Sequence, residues 1–125
     1  MPIFESKIST LSEDYKKNYA KNESICRDLS LIKESFAEGG GEKSKKRHEE
    51  QGKIFVRDRI EKLCDPGSPF LEIGMFAGHD VYEDKVPCAG VVAGIGQVSG
   101  KMCLIIANDA TVKGGTYYPI KIKKH

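Results

Sequence analysis

One change in the period of the apolar residues constrains this chain more than any other feature. Up to Phe36, apolar side chains return at intervals of three, four or seven: Ile8, Leu11, Tyr15, Tyr19, Cys26, Leu29, Ile32 and Phe36. That spacing aligns them on one face of a helix and predicts a long amphipathic arm. Near the carboxyl end the pattern becomes that of strands. Val91 to Val98 runs into Ser99-Gly100 and then into Met102 to Ala107. Serine-glycine suits a two-residue reversal, so the two runs are predicted to pair as a β-hairpin. The second run delivers a polar, glycine-rich loop, Asn108 to Tyr118, at its carboxyl end.

The segments between are punctuated by residues that cannot continue a helix. Gly39-Gly40-Gly41 ends the arm, because glycine tolerates positive φ and carries a high entropic cost of ordering. A polar, helix-compatible run, Glu42 to Glu50, precedes a short helix with Val56, Ile60, Leu63 and Cys64 on one side. Asp65-Pro66-Gly67-Ser68-Pro69 stops that helix, since proline lacks a donor and biases its predecessor away from helical geometry. Phe70 to Ile73 reads as a first short strand, and Gly78 to Pro87 as an acidic surface loop. Gly94 and Gly96 imply a bulge or a close backbone approach in the first hairpin strand. Leu104 to Ala107 does not alternate and is predicted to be covered on both faces. The fold class is α/β, with residues 1–38 as a helical arm, 39–69 as a basic linker with short helices, and 70–125 as a strand-rich body.

Composition narrows the function classes. A chain of 125 residues makes one ordinary domain, and a net charge of +2 with 30% charged residues demands neither nucleic acid nor membrane. No apolar run approaches the roughly 20 residues that span a bilayer, and Met1 to Lys7 lacks the apolar core of a secretion signal. A cytoplasmic product, or one already stripped of a targeting peptide, is the default. Cys26, Cys64, Cys88 and Cys103 are far apart with no Cys-x-x-Cys pair, which favours buried free thiols in a reducing compartment over disulfides or zinc. His48, His79 and His125 have no second ligand at metal-binding spacing, so no metal site is expected.

The chemistry-bearing patterns are few. Gly94-x-Gly96-x-x-x-Gly100 is not the dinucleotide fingerprint, because a strand rather than a helix follows it. Lys113-Gly114-Gly115-Thr116 reverses the order of a phosphate loop, but it leaves backbone donors beside a lysine where an anionic or carbonyl ligand can approach. Lys43, Lys45, Lys46 and Arg47 are followed at once by Glu49 and Glu50, with no aromatic residue interleaved to stack on bases. A solvated helix face fits that run better than nucleic acid, with a phosphate-bearing small molecule or a partner subunit next. Asp80, Glu83, Asp84 and Asp109 show no reactive pairing and receive no catalytic role.

Read in order, Glu50-Gln51-Gly52-Lys53, Arg57-Asp58-Arg59-Ile60, Asp65-Pro66-Gly67-Ser68-Pro69-Phe70-Leu71-Glu72, Gly94-Ile95-Gly96, Val98-Ser99-Gly100 and Ala107-Asn108-Asp109-Ala110-Thr111-Val112-Lys113-Gly114-Gly115-Thr116-Tyr117-Tyr118-Pro119 resemble the carboxyltransferase (beta) subunits of biotin-dependent acyl-CoA carboxylases. The resemblance covers residues 47–125 and is greatest to the methylcrotonoyl-CoA carboxylase branch. It implies the amino-terminal portion of a crotonase-like domain, whose reaction carries a carboxyl group from carboxybiotin to an acyl-CoA. It implies that Lys113, Gly114, Gly115 and Thr116 border the acyl-CoA, and that no catalytic residue lies in this chain. The charge-stabilising glycine-rich segments are expected downstream of His125. Biotin is implied on a partner biotin carboxylase/biotin carrier (alpha) subunit, beta subunits are implied to form a homo-oligomer, and the mitochondrial matrix becomes the alternative to the cytoplasm.

Departures from the family pattern carry expectations of their own. Phe55 stands where relatives often have a helix-capping residue, which predicts an entry looser by about 1 kcal/mol. Cys88-Ala89 stands where glycines are common, Gln97 where a basic residue is frequent, and His79 where tyrosine is frequent. Pro119 is placed as the first residue of a helix with six residues following it. The chain is therefore expected to be the opening part of a longer protein, inert alone and exposed along its strand edges. A non-enzymatic assembly module, docking a partner through the Ile8 to Phe36 stripe and binding a phosphate-bearing molecule through the basic run, remains the alternative.

Overall fold

The computed structural model describes residue 3 and residues 5–125, and divides into two compact units, residues 1–32 and 33–125. Residues 1, 2 and 4, part of the predicted arm, lie outside the described residues. Helix α1 spans Glu13–Ala37. Its start is set by Ser12, whose Oγ accepts from the Tyr15 amide at 3.2 Å while its carbonyl accepts from Lys16 at 3.1 Å. Ile8 and Leu11 therefore precede the helix rather than extend its stripe, and are 73% and 82% exposed. Along the helix Tyr19 and Leu29 are also exposed, and Phe36 is buried.

In the unit from residue 33 on, α2 (Glu42–Glu50) and α3 (Val56–Leu63) precede a three-stranded antiparallel sheet. Its strands are β1 (Leu71–Ile73), β2 (Val91–Val98) and β3 (Lys101–Asn108), in the order β1-β2-β3. The chain closes with α4 (Pro119–Lys124), opened by the proline as expected. Pairing of β2 with β3 runs unbroken from Val91 opposite Asn108 to Val98 opposite Lys101, so the glycines mark no bulge. They mark a close approach instead. A Cβ on Gly94 would lie 2.4 Å from the Phe70 ring and 2.5 Å from the Leu71 carbonyl, and one on Gly96 would lie 2.8 Å from Cys64 Sγ.

One face of the sheet packs on α3. Phe55, Val56, Ile60, Val92 and Ile105 form the core, with Cys64, Phe70, Val98, Cys103 and Ala107 against it. Leu63, predicted to share the buried side of α3, is exposed. Phe55 makes no capping bond, yet it is 3% exposed, and the Lys45 ammonium lies 4.6 Å from its ring centroid. Burying a phenylalanine side chain gains about 1.5–3 kcal/mol, which exceeds the capping loss, so the helix entry is anchored rather than loosened.

The prediction of cover on both faces fails. Leu71, Ile73, Met102, Leu104 and Ile106 stand exposed on the face opposite α3. Alternation along β3 turns Cys103, Ile105 and Ala107 toward the core, and on the other face only the end near Val91 and Ala93 is buried, where Lys121 and Lys124 of α4 reach Asn108 and Val91. All four cysteines are free, but Cys26 is exposed and Cys64 and Cys103 are half-buried, so Cys88 alone meets the expectation of burial.

Candidate functional site

The loop that follows β3 is held in shape from several sides. Asp109 is buried, and its Oδ1 accepts from the Thr111 amide at 2.9 Å and from the Thr111 hydroxyl at 2.6 Å. This is a side-chain-closed turn of the kind aspartate favours. The Gly40 amide donates to Thr111 Oγ1 at 3.0 Å, and the Asp109 amide donates to the Gly90 carbonyl at 3.0 Å. A Cβ on Gly40 would fall 1.8 Å from the Thr111 carbonyl oxygen, and one on Gly39 would fall 2.5 Å from Asp109 Oδ2. The glycine run that ends α1 thus also admits the turn.

Beneath the loop lies Lys121, wholly buried in the first turn of α4. Its ammonium donates to the Gly115 carbonyl at 2.9 Å, to the Thr116 carbonyl at 3.4 Å and to Asn108 Oδ1, and sits 4.5 Å from the Tyr117 ring centroid. Burial pulls its pKa below the ordinary lysine value, opposed by the charge of Asp109. The oxygens of the loop offset the cost of burying this charge.

The four predicted contact residues are brought into one turn. Lys113, Gly114 and Gly115 take φ of 48°, 66° and 84° in succession. Thr116 closes the turn, its hydroxyl and its amide (3.3 Å) both donating to the Lys113 carbonyl. Lys113 Nζ lies 2.8 Å from Asp84 Oδ2, and that hydrogen bond holds its pKa above the ordinary value. The pair is solvent-exposed, where an ion pair contributes little.

A second polar cluster, unmarked in the sequence, supports the far side of the loop's anchor. Arg57 engages Glu72 through both oxygens at 2.7 and 3.1 Å, and its Nε donates to the Ala37 carbonyl at 3.2 Å. Cys88 Sγ lies 3.6 Å from both Glu72 Oε1 and Arg57 Nη2. Burial first, and the charge of Glu72 second, push the Cys88 thiol up to about 11, so it is protonated and unreactive at neutral pH. Cys88 and Ala89 hold positive φ of 54° and 57°, which explains why glycines suit these positions. Lys124 fixes the turn by donating to the carbonyls of Cys88 at 3.0 Å and Val91 at 2.7 Å. A cavity of about 690 Å³ at the end of α3 is lined by Arg57, Ile60, Cys64 and Phe70, among others, and by no residue of the loop.

Residues 47–125, from within α2 to the end of α4, match the carboxyl transferase domain. The chain belongs to that family. As a carboxyl transferase chain it is 56% identical over 101 residues to the biotin-dependent 3-methylcrotonyl-coenzyme A carboxylase beta1 subunit of Mycobacterium tuberculosis, a match covering 81% of this chain and 19% of the relative. It is 50% identical over 115 residues to the mitochondrial methylcrotonoyl-CoA carboxylase beta chain of Arabidopsis thaliana, covering 91% of this chain and 19% of the relative. The transcarboxylase 12S structure with methylmalonyl-coenzyme A and methylmalonic acid bound superposes with a TM-score of 0.74 at 32% identity, over 82% of this chain and 21% of that one. The carboxyl transferase chain thus spans about a fifth of the length of these relatives. Its helices and small antiparallel sheet are a portion of the crotonase-like fold that the sequence led us to expect.

Two of the residues that shape the loop escape sequence reasoning. Lys121 reads as an ordinary surface lysine, one of three in the short helix that Pro119 opens. Glu72 reads as the polar position of a short strand, and only the fold brings Arg57 to it.

Proposed function

We propose that this chain is the part of a biotin-dependent acyl-CoA carboxyltransferase subunit that borders the acyl-CoA. The observation that carries the reading is the turn Lys113 to Thr116, held open to solvent on one side and fastened through its carbonyls to Lys121 on the other. An exposed turn with a fixed backbone and a weakly engaged lysine offers a thioester ligand donors that need no rearrangement on binding.

The reaction is the transfer of a carboxyl group from biotin to a carbon of an acyl-CoA of the methylcrotonoyl type. Its charge develops on the thioester oxygen, and no residue of this chain is assigned to stabilise it. Biotin, carried by a partner biotin carboxylase/biotin carrier subunit, is the donor substrate rather than a resident group, and no residue here is assigned to it. The 12S structure is described as a hexamer assembly, which supports a homo-oligomer of such subunits. Four free thiols support a reducing compartment: the cytoplasm, or the mitochondrial matrix in keeping with the name of the Arabidopsis relative.

Grafting this chain in place of the corresponding segment of the Mycobacterium tuberculosis subunit tests the reading. The chimera is expected to carboxylate 3-methylcrotonyl-CoA, and Lys113→Ala in it, which removes an exposed lysine paired only with the exposed Asp84, is expected to lower kcat/KM by about tenfold or more without lowering the melting temperature of the assembly. Unchanged kinetics in that variant would remove the turn from the site. A folded but inactive chimera would favour the assembly-module alternative.

A further inference from the structure

The backbone donors at the start of α4 are satisfied only with help from the acidic segment between β1 and β2. Pro119 has no amide hydrogen, and the amides of Lys121 and Ile122 donate to the Tyr118 carbonyl at 2.9 and 3.4 Å. That leaves the amide of Ile120, one of the groups a helix cannot satisfy from within. Tyr118 stands at the N-cap and makes no side-chain bond to it. The Ile120 amide donates instead to the hydroxyl of Tyr82 at 3.2 Å, and the half-buried Tyr82 ring packs on the Tyr118 ring with centroids 5.0 Å apart. A phenol oxygen accepts as well as donates, so one side chain both closes the helix and braces its N-cap residue.

Tyr82 reaches α4 because the segment that carries it closes on itself. A Cβ on Gly78 would lie 2.5 Å from the Val86 carbonyl oxygen, so residues 78 and 86 meet at the base of a compact loop. His79, near that base, packs edge-on against the Phe36 ring with centroids 5.5 Å apart. Two residues beyond Tyr82, Asp84 meets Lys113 Nζ at 2.8 Å. The loop therefore touches the Lys113 to Thr116 turn where it begins, and through Tyr82 it touches the helix that fastens the turn where it ends. Lys121, the residue after Ile120, is the one that donates to the carbonyls of Gly115 and Thr116. We propose that Tyr82 is a positioning residue for the carboxyl transfer: by completing the amino terminus of α4 and bracing Tyr118, it sets where the turn is held against the acyl-CoA. This rests on the acyl-CoA reading of that turn.

Tyr82→Phe keeps the ring and removes the acceptor. In this chain, amide exchange is expected to quicken by about fivefold or more at Ile120 and in residues 113–116, and to stay within about twofold of the parent in β2. In the chimera with the Mycobacterium tuberculosis subunit, the same variant is expected to raise KM for 3-methylcrotonyl-CoA by about fivefold and to hold kcat within about twofold, because the turn binds the thioester and does not carry the chemistry. Tyr82→Ala, which also removes the ring from Tyr118, is expected to raise KM further. Tyr19→Phe, which takes a phenol from exposed α1, is expected to change neither exchange in the turn nor KM. Equal quickening in β2 and in the turn, or a lowered melting temperature with KM unchanged, would mean that Tyr82 only supports the fold and overturns the proposal. If 3-methylcrotonyl-CoA protects the Asn108 to Tyr118 amides of the parent and Tyr82→Phe alters neither exchange nor KM, the role of Tyr82 falls and the acyl-CoA reading stands. If the thioester protects none of those amides, the acyl-CoA reading falls and takes the role of Tyr82 in the reaction with it.

Discussion

The buried ammonium of Lys121 donates to the Gly115 carbonyl at 2.9 Å, joining the first turn of α4 to the turn that presents Lys113, Gly114, Gly115 and Thr116. Lys121→Met keeps the length of the side chain and removes the donor. It leaves the oxygens of Gly115 and Asn108 without that partner, a loss of about 2 kcal/mol partly offset by no longer burying a charge. Denaturant unfolding is expected to report a drop of that order, and amide exchange to quicken in residues 113–116 more than in β2. Equal quickening throughout would mean that Lys121 supports the core rather than the loop.

Cys88 predicts a pH dependence. Its thiol is raised to about 11 in the folded chain, against 9.0 when unperturbed, so between those values the native state keeps a proton that the unfolded chain has lost. Stability from this group is complete below pH 9 and is lost as pH rises toward 11, by roughly 2–3 kcal/mol. Lys121 and Lys124 are shifted the opposite way, so the comparison that isolates the thiol is with Cys88→Ser. Relative to that variant, the parent is expected to lose stability across the alkaline window. A constant difference from pH 8.5 to 11, measured by urea titration, would contradict the assignment.

Gly94 and Gly96 sit two residues apart on one strand but make different demands. A methyl group at Gly94 meets the Phe70 ring and the Leu71 backbone, whereas at Gly96 the nearest atom is the sulfur of Cys64. Gly94→Ala is therefore expected to cost about 2–3 kcal/mol and Gly96→Ala distinctly less. Melting temperatures of the two variants check the order.

The hairpin turn is fastened by Asp65, whose two oxygens accept from the amides of Ser99 at 2.6 Å and Gly100 at 2.7 Å. Asp65→Ala is expected to destabilise by about 1–2 kcal/mol, as loss of two charge-assisted bonds near the surface implies. Ser99 and Gly100 both hold positive φ, 50° and 76°, the arrangement in which asparagine-glycine is favoured, so Ser99→Asn is expected to stabilise by a few tenths of a kcal/mol. Thermal unfolding distinguishes the two directions.

What the sequence revealed was local. Two apolar runs meeting at a serine-glycine pair were enough for the hairpin, a proline at the first helical position for α4, and the Asp65 to Pro69 punctuation for the end of α3. The Lys113 to Thr116 segment was legible as part of a glycine-rich loop, while the run of positive φ through Lys113, Gly114 and Gly115 was not. Long-range pairings were not legible. Nothing near Lys113 announces Asp84, and nothing near Arg57 announces Glu72, since only folding brings them together. Leu104 and Ile106 misled for a related reason: an apolar run reveals that its side chains favour cover, but not which face of the sheet the neighbouring elements supply.

Hydrogen exchange of the Asn108 to Tyr118 amides, recorded while 3-methylcrotonyl-CoA is titrated in, tests the functional reading most directly. Saturable protection concentrated in Lys113 to Thr116, with β1 and α3 unaffected, is the predicted result. Exchange in that loop identical with and without saturating thioester would contradict it.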